Sequence, residues 1–114
     1  LYVNHIYAEG AVEAYDTSDM RFKTVIESLD RSETADAILG LSTFRYTWKD
    51  ESRVRLGLSA QEVQKVFPEN VKADNEGTLM IHYGKLIPAL IATIQRQQEQ
   101  IDELKNRMMR NVIL

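Results

Sequence analysis

Residues 87–114 read IPALIATIQRQQEQIDELKNRMMRNVIL, and this stretch decides the fold. Ile87, Leu90, Ile94, Ile101, Leu104 and Met108 recur on alternating three- and four-residue steps once Gln97 is admitted as a polar layer. That is the spacing of a heptad seam. With Ile87, Ile94, Ile101 and Met108 at a, the d positions hold Leu90, Gln97, Leu104 and Asn111. Polar layers of this kind set register and partner number at some expense in stability. The competing reading is an amphipathic helix folded back on its own domain. The surface beyond Gln95 is strongly polar, and a small domain offers little for so long a helix to cover, which favours self-association. The seam residues leave the strand number open, and Ile at a with Leu at d leans towards a parallel dimer. Pro88 lacks a backbone N–H, so it belongs near the helix start or marks a slight kink.

Moving back along the chain, the apolar period shortens to two. Phe44, Tyr46 and Trp48 alternate with Thr43, Arg45, Thr47 and Lys49, and Val54, Leu56 and Leu58 alternate after the polar Asp50-Glu51-Ser52 link. The pattern predicts a β-hairpin with the three aromatics on its core face. No basic surface accompanies them, so a base-stacking platform is disfavoured. Ser59-Ala60-Gln61-Glu62 has the form of a capping box, with Val63, Val66 and Phe67 giving the helix an apolar face until Pro68. A second hairpin is expected from Val71–Ala73 and Thr78–Ile81, around Asn75-Glu76-Gly77. Upstream, Ser18 or Asp19 can cap a helix bearing Phe22, Val25, Ile26 and Leu29, and Ser32 a shorter one bearing Ala35, Ile38 and Leu39 and ending at Gly40. Tyr2-Val3 and Ile6-Tyr7 read as strand-like pieces in a segment too poor in apolar surface to fold alone.

The expected fold is therefore α+β and mainly helical: a small domain with short β-hairpins and a long C-terminal helix. The expected divisions are residues 1–17, a domain over 18–84, and the helix over 85–114. A chain of 114 residues fits one small domain with an extended appendage, so a large buried pocket is not expected. It begins at Leu1 rather than Met, which points to a piece of something longer. The 14 Lys plus Arg against 17 Asp plus Glu give a net charge of −3. That balance disfavours a nucleic-acid partner or an anionic membrane surface. With no cysteine and two isolated histidines, neither a disulfide framework nor a metal centre is expected, and no cofactor is called for. Apolar runs fall short of a membrane span, so a soluble protein is expected.

The chemistry rests on the run Thr17-Ser18-Asp19-Met20-Arg21-Phe22-Lys23. A hydroxyl is a weak nucleophile at neutral pH and needs a base, which an unprotonated lysine can supply where histidine is absent. On a continuous helix, positions five apart face different ways. A Ser at the cap is not yet helical, however, and a Lys side chain leans back towards the helix N-terminus. A helix dipole and burial would both favour the neutral amine of Lys23, and free backbone N–H groups at the helix start could stabilise an oxyanion. By spacing alone the pair reads more simply as a helix cap and a solvated lysine. His82 reads as a capping or packing residue near the last helix, and His5 lies in the leader. Gln61 either lines a site or projects from its helix, and Asp19 is a cap or a contact to a new N-terminus.

From Ser18 onward the chain resembles the intramolecular chaperones of the endosialidase type, found on phage fibres and in the animal myelin regulatory factor. The resemblance is carried by Ser18-Asp19 with Lys23, Ala37-Ile38-Leu39-Gly40-Leu41 and Phe44-Arg45-Tyr46-Thr47-Trp48-Lys49. It continues through Leu56-Gly57-Leu58-Ser59-Ala60-Gln61-Glu62-Val63, Pro68-Glu69 with Val71, and Tyr83-Gly84-Lys85-Leu86-Ile87-Pro88-Ala89-Leu90. The core Gly-x-x-Ala-Gln-Glu-Val, lying between the Tyr-x-Trp strand and the Tyr-x-x-Leu helix, is more specific than the Ser-Lys pair.

What the resemblance implies is a homotrimer, with the long helix in a trimeric coiled coil. It would bring three copies of a tail-fibre or tailspike chain into register and then release itself by cutting between Thr17 and Ser18. Ser18 would be the nucleophile and Lys23 the general base of a single-turnover serine peptidase. Residues 1–17 would be the end of the parent fibre, itself the partner segment. Assembly would occur in the host cytoplasm, and the parent fibre would sit in the virion tail. A non-cleaving trimerisation cap and a fibre-tip adhesin are the alternatives. The fibre-like leader and the lack of a basic region favour a phage over an animal transcription factor.

Overall fold

The computed structural model describes residues 5–113. The strand-like piece expected at Tyr2-Val3 lies outside these residues, and Ile6-Tyr7 is exposed irregular chain. The domain orders itself as α1 (Arg31–Leu39), β1 (Phe44–Tyr46), β2 (Arg55–Gly57), α2 (Ala60–Val66), β3 (Val71–Ala73), β4 (Leu79–Ile81) and α3 (Ile87–Ile113). This is the α+β architecture expected, with two antiparallel hairpins and a C-terminal helix of 27 residues.

One expected element is not formed. In place of a helix from Ser18 to Leu29 there is a single 3-10 turn at Met20–Phe22, followed by irregular chain up to Asp30. Phe22, Val25 and Ile26 stand in solvent, so no packed face is available to stabilise a helix. The β-branched run Thr24-Val25-Ile26 tips an unpacked segment further away from helix. The next helix is capped by Asp30 rather than Ser32, with the carboxylate accepting the Glu33 N–H at 2.9 Å. Gly40 ends it as expected, but at φ −82°, so the stop uses no left-handed residue.

β1 and β2 pair Phe44 with Gly57, Arg45 with Leu56 and Tyr46 with Arg55. The aromatics do share a face: Phe44 and Tyr46 meet edge-on at 6.0 Å, and Tyr46 and Trp48 at 5.3 Å. That face is not core, however, because Phe44 and Trp48 remain exposed beneath no second layer. β3 and β4 pair Val71 with Ile81 and Ala73 with Leu79. Their turn is closed by Asp74, whose Oδ1 accepts the N–H groups of Glu76 at 2.8 Å and Thr78 at 2.9 Å, and by Gly77 at φ +83°.

The core lies where α2, the second hairpin and the start of α3 meet. Val63, fully enclosed, packs with Phe67, Leu86 and Ala89, and Ile38, Leu41, Leu58, Val71 and Ile81 close around them. Ser59 caps α2 through the Glu62 N–H at 3.3 Å. The Glu62 carboxylate does not complete the expected box but reaches across to accept the Ser42 N–H at 3.2 Å, tying α2 to the loop after α1. A 3-10 turn at Tyr83–Leu86 leads into α3, and Pro88 occupies its first turn, where a missing N–H leaves no bond unmade. The buried small residues Thr34 and Ala35 of α1, and Ala89, Ala92 and Thr93 of α3, let the two helices pack closely. Arg31 and Glu99 bridge them at 2.5 Å.

Candidate active site

The structure brings Ser18 and Lys23 together: Lys23 Nζ donates to Ser18 Oγ at 2.6 Å. Chain geometry explains how. Fully extended, positions five apart would be separated by about 16 Å. On an α-helix they would point about 140° apart. A single 3-10 turn reverses the chain between them. Asp19 is its cap, and its backbone bonds run from Phe22 N to Asp19 O at 3.1 Å and from Lys23 N to Met20 O at 3.2 Å. Thr17 precedes the pair in exposed chain without regular structure.

Two expected aids are missing from the single chain. The activation of Lys23 was expected from a helix and from burial, and here there is one 3-10 turn in solvent. The N–H groups expected to hold an oxyanion are engaged: Arg21 N on Asp19 Oδ1 at 2.9 Å, Phe22 N and Lys23 N within the turn. Asp19 is the cap that the sequence suggested. It also takes Arg21 Nε at 3.1 Å and Nη2 at 2.8 Å. The Arg21 side chain, and then its backbone N–H, hold the Asp19 carboxyl below its ordinary range, and Asp19 holds the Arg21 guanidinium above its own. Arg21 also lies over the Phe22 ring, 5.7 Å from its centre. Sequence reading passed over Arg21. Its signal is an Asp cap followed two residues later by Arg.

The remaining candidates lie elsewhere. Gln61 faces a groove with Tyr46, Trp48 and Met80, its Oε1 accepting from Ser59 Oγ at 3.4 Å. His82 serves through its backbone, donating to Asn70 O at 2.9 Å and accepting from Lys85 N at 3.2 Å. Among the described residues no cluster of His, Asp or Glu is arranged to hold a metal ion, and no helix is long and apolar enough to cross a membrane. An apolar groove of about 730 Å³ runs between Ile38, Leu41, Phe44, Leu56, Leu86 and Leu90, and Ser18 and Lys23 take no part in it.

A second candidate surface lies on α3 and the turn before it. Leu86, Ala89, Ala92 and Thr93 face the domain, while Ile87, Leu90, Ile94, Ile101, Leu104 and Met108 are exposed along the heptad positions. Of this row, Leu90 also lines the apolar groove, and Ile101, Leu104 and Met108 stand exposed past the domain core.

A serine and a lysine are thus paired ahead of a small α+β domain that runs out into an apolar-striped helix. Residues 18–72 match the family model Peptidase_S74, described as chaperone of endosialidase, which supports the resemblance to that family. The match begins at Ser18 and ends in β3, short of α3. No curated protein matches the chain.

Proposed function

We propose that this protein is an intramolecular chaperone that trimerises through α3, assists the folding of a phage tail-fibre or tailspike chain, and then frees itself by cutting between Thr17 and Ser18. The observation that carries the reading is the 2.6 Å contact between Lys23 Nζ and Ser18 Oγ. The beginning of the family match at Ser18 and the exposed row on α3 support it.

In the reactive form a neutral Lys23 amine accepts the Ser18 hydroxyl proton, reversing the direction of the hydrogen bond. Ser18 Oγ then bonds to the carbonyl carbon of Thr17. The C–N bond breaks as Lys23 returns the proton to the Ser18 nitrogen, leaving an ester between Thr17 and Ser18 Oγ and a free amine on Ser18. Water adds to the ester, the C–O bond breaks, and the products are a Thr17 carboxylate and a chain that begins at Ser18. Each chain reacts once. Trimerisation at the fibre end makes physical sense, because a triple-stranded β structure must close many non-local contacts before it gains burial. Linking three chains at one end raises their effective concentration. On this reading the work is done in the host cytoplasm, and the parent fibre goes to the virion tail.

The solvent-open pair and the engaged N–H groups favour a second reading, a trimerisation cap that stays attached. Intact mass of the parent chain with this domain decides between the two. Native chains that end at Thr17, with a separate fragment starting at Ser18, while Ser18→Ala and Lys23→Ala stay whole, establish self-cleavage. Trimers that stay whole in all three establish the cap.

A further inference from the structure

The turn that joins Ser18 to Lys23 has no buried residue, so packing does not hold it. Two backbone bonds close it, and a single 3-10 turn of that kind frays readily in water. What distinguishes it is the carboxylate of Asp19. That one side chain accepts from the Arg21 backbone N–H at Oδ1, 2.9 Å, and from the Arg21 guanidinium through Nε on Oδ1 at 3.2 Å and Nη2 on Oδ2 at 2.8 Å. The fork is the bidentate arrangement that fixes a guanidinium in orientation as well as in place. Phe22 supports the other face of the same guanidinium. Residues 19, 21 and 22 are thus cross-linked within the five-residue step that sets the distance from Ser18 Oγ to Lys23 Nζ.

We infer that Asp19 and Arg21 act as positioning residues, clamping the turn so that Lys23 stays on Ser18; the inference rests on the self-cleavage reading. Neither residue touches the scissile bond. An exposed ion pair adds little to the stability of a whole domain. Here its effect is local, because nothing else pins the turn and a displacement of about 1 Å between reacting groups slows a reaction by about a hundredfold. The Asp19 carboxyl, held below its ordinary range first by the Arg21 side chain and then by its backbone N–H, is ionised at neutral pH, as the fork requires.

The test follows the first-order cleavage of the parent chain with this domain, by intact mass, in Arg21→Ala, Arg21→Lys, Asp19→Asn and Asp19→Ala. Asp19→Asn keeps an acceptor for the Arg21 N–H but loses the charged fork, and Arg21→Lys keeps the charge but not the fork. The expected order is native fastest, Arg21→Lys and Asp19→Asn intermediate, and Arg21→Ala and Asp19→Ala about ten- to a hundredfold slower. Sub-denaturing guanidinium added to Arg21→Ala restores part of the lost rate, which a general loss of stability would not allow. Oligomeric mass and melting temperature stay native in every variant. Native rates in both alanine variants, or a slow Arg21→Ala that guanidinium leaves unchanged, overturn the clamp.

A second readout separates this inference from the cleavage reading. The nuclear Overhauser contact between the Ser18 β and Lys23 ε protons is expected in the native chain, cut or whole, and is expected to vanish in Arg21→Ala. A whole native chain showing that pattern leaves the clamp standing and removes the peptidase. A contact that persists in Arg21→Ala removes the clamp, whatever the chain's mass.

Discussion

Lys23 carries two separable properties, a donor that reaches Ser18 Oγ at 2.6 Å and an amine able to take up a proton. Arginine keeps the first and lacks the second, since a guanidinium donates but stays protonated. Lys23→Arg is therefore expected to leave the chain whole, slowed at least about a hundredfold, with the domain folded. Intact mass over time reads this directly, and a native rate would show that proton transfer is not what Lys23 does. Two glycines separate close packing from backbone strain in the same way. A Cβ on Gly57 would lie 2.6 Å from Tyr46 Cε1, so Gly57→Ala forces the ring aside and is expected to destabilise the domain by about 1–3 kcal/mol. Gly77 has open space around it but φ +83°, so Gly77→Ala is expected to lose about 1–2 kcal/mol through strain alone. In denaturant melts, Tyr46→Leu should relieve the first and leave the second unchanged. The sequence already pointed to Gly77, because Asn75-Glu76-Gly77 names its own turn. It was silent on Gly57, because the contact depends on a cross-strand neighbour. Ser18 and Lys23 were likewise legible as residue types at a spacing, whereas the Arg21 fork exists only once the turn is formed.

Among the elements, those with local signals were legible and those that depend on a packing partner were not. Both hairpins, the Ser59 cap and the long helix follow from periodicity and turn chemistry, and they stand where those signals place them. The helix expected after Ser18 had caps and spacing but no surface to pack against, and the aromatic face of β1 had alternation but no layer to cover it. The cap of α1 fell to Asp30 rather than Ser32, a two-residue shift between good capping residues that propensity does not distinguish. How α1 sits on α3 was also beyond reading, since it joins Thr34 and Ala35 to Ala89, Ala92 and Thr93, with Arg31 meeting Glu99 across 68 positions. The Arg31 hydrogen bond, with further help from the charges of Arg31 and Arg96, holds the Glu99 carboxyl below its ordinary value of 4.5. A carboxyl depressed on folding adds stability that is fully present above its unfolded value and is lost as pH falls through the folded one. Glu99→Gln is thus expected to lower the melting temperature near pH 7 and to match the native protein in acid below the depressed value. A difference that persists unchanged into strong acid would assign the effect to something other than the ion pair.

The molecule as a whole has a radius of gyration of 19.2 Å, against about 13 Å for a compact domain of this length. The excess lies in the leader and in the far half of α3, parts that the domain core does not reach. Beyond the Arg31–Glu99 bridge, α3 projects with Ile101, Leu104 and Met108 exposed on one side. An isolated helix gains most of its stability from packing such a face, and the proposed partner copy would supply that packing. Because these residues lie past the domain, altering them tests association without touching the fold. Ile101→Asp with Leu104→Asp places carboxylates in two adjacent layers, where like charges from each copy would meet without water. The expected outcome is a native protein that sediments as a trimer and a variant that sediments as a monomer, with its hairpin signals and the burial of Val63 unchanged. A native dimer would follow the preference of Ile at a with Leu at d, and would separate the seam from the trimeric role proposed for it. A native monomer would leave the seam without a partner copy, and the trimerisation proposed at the fibre end would lose its physical basis.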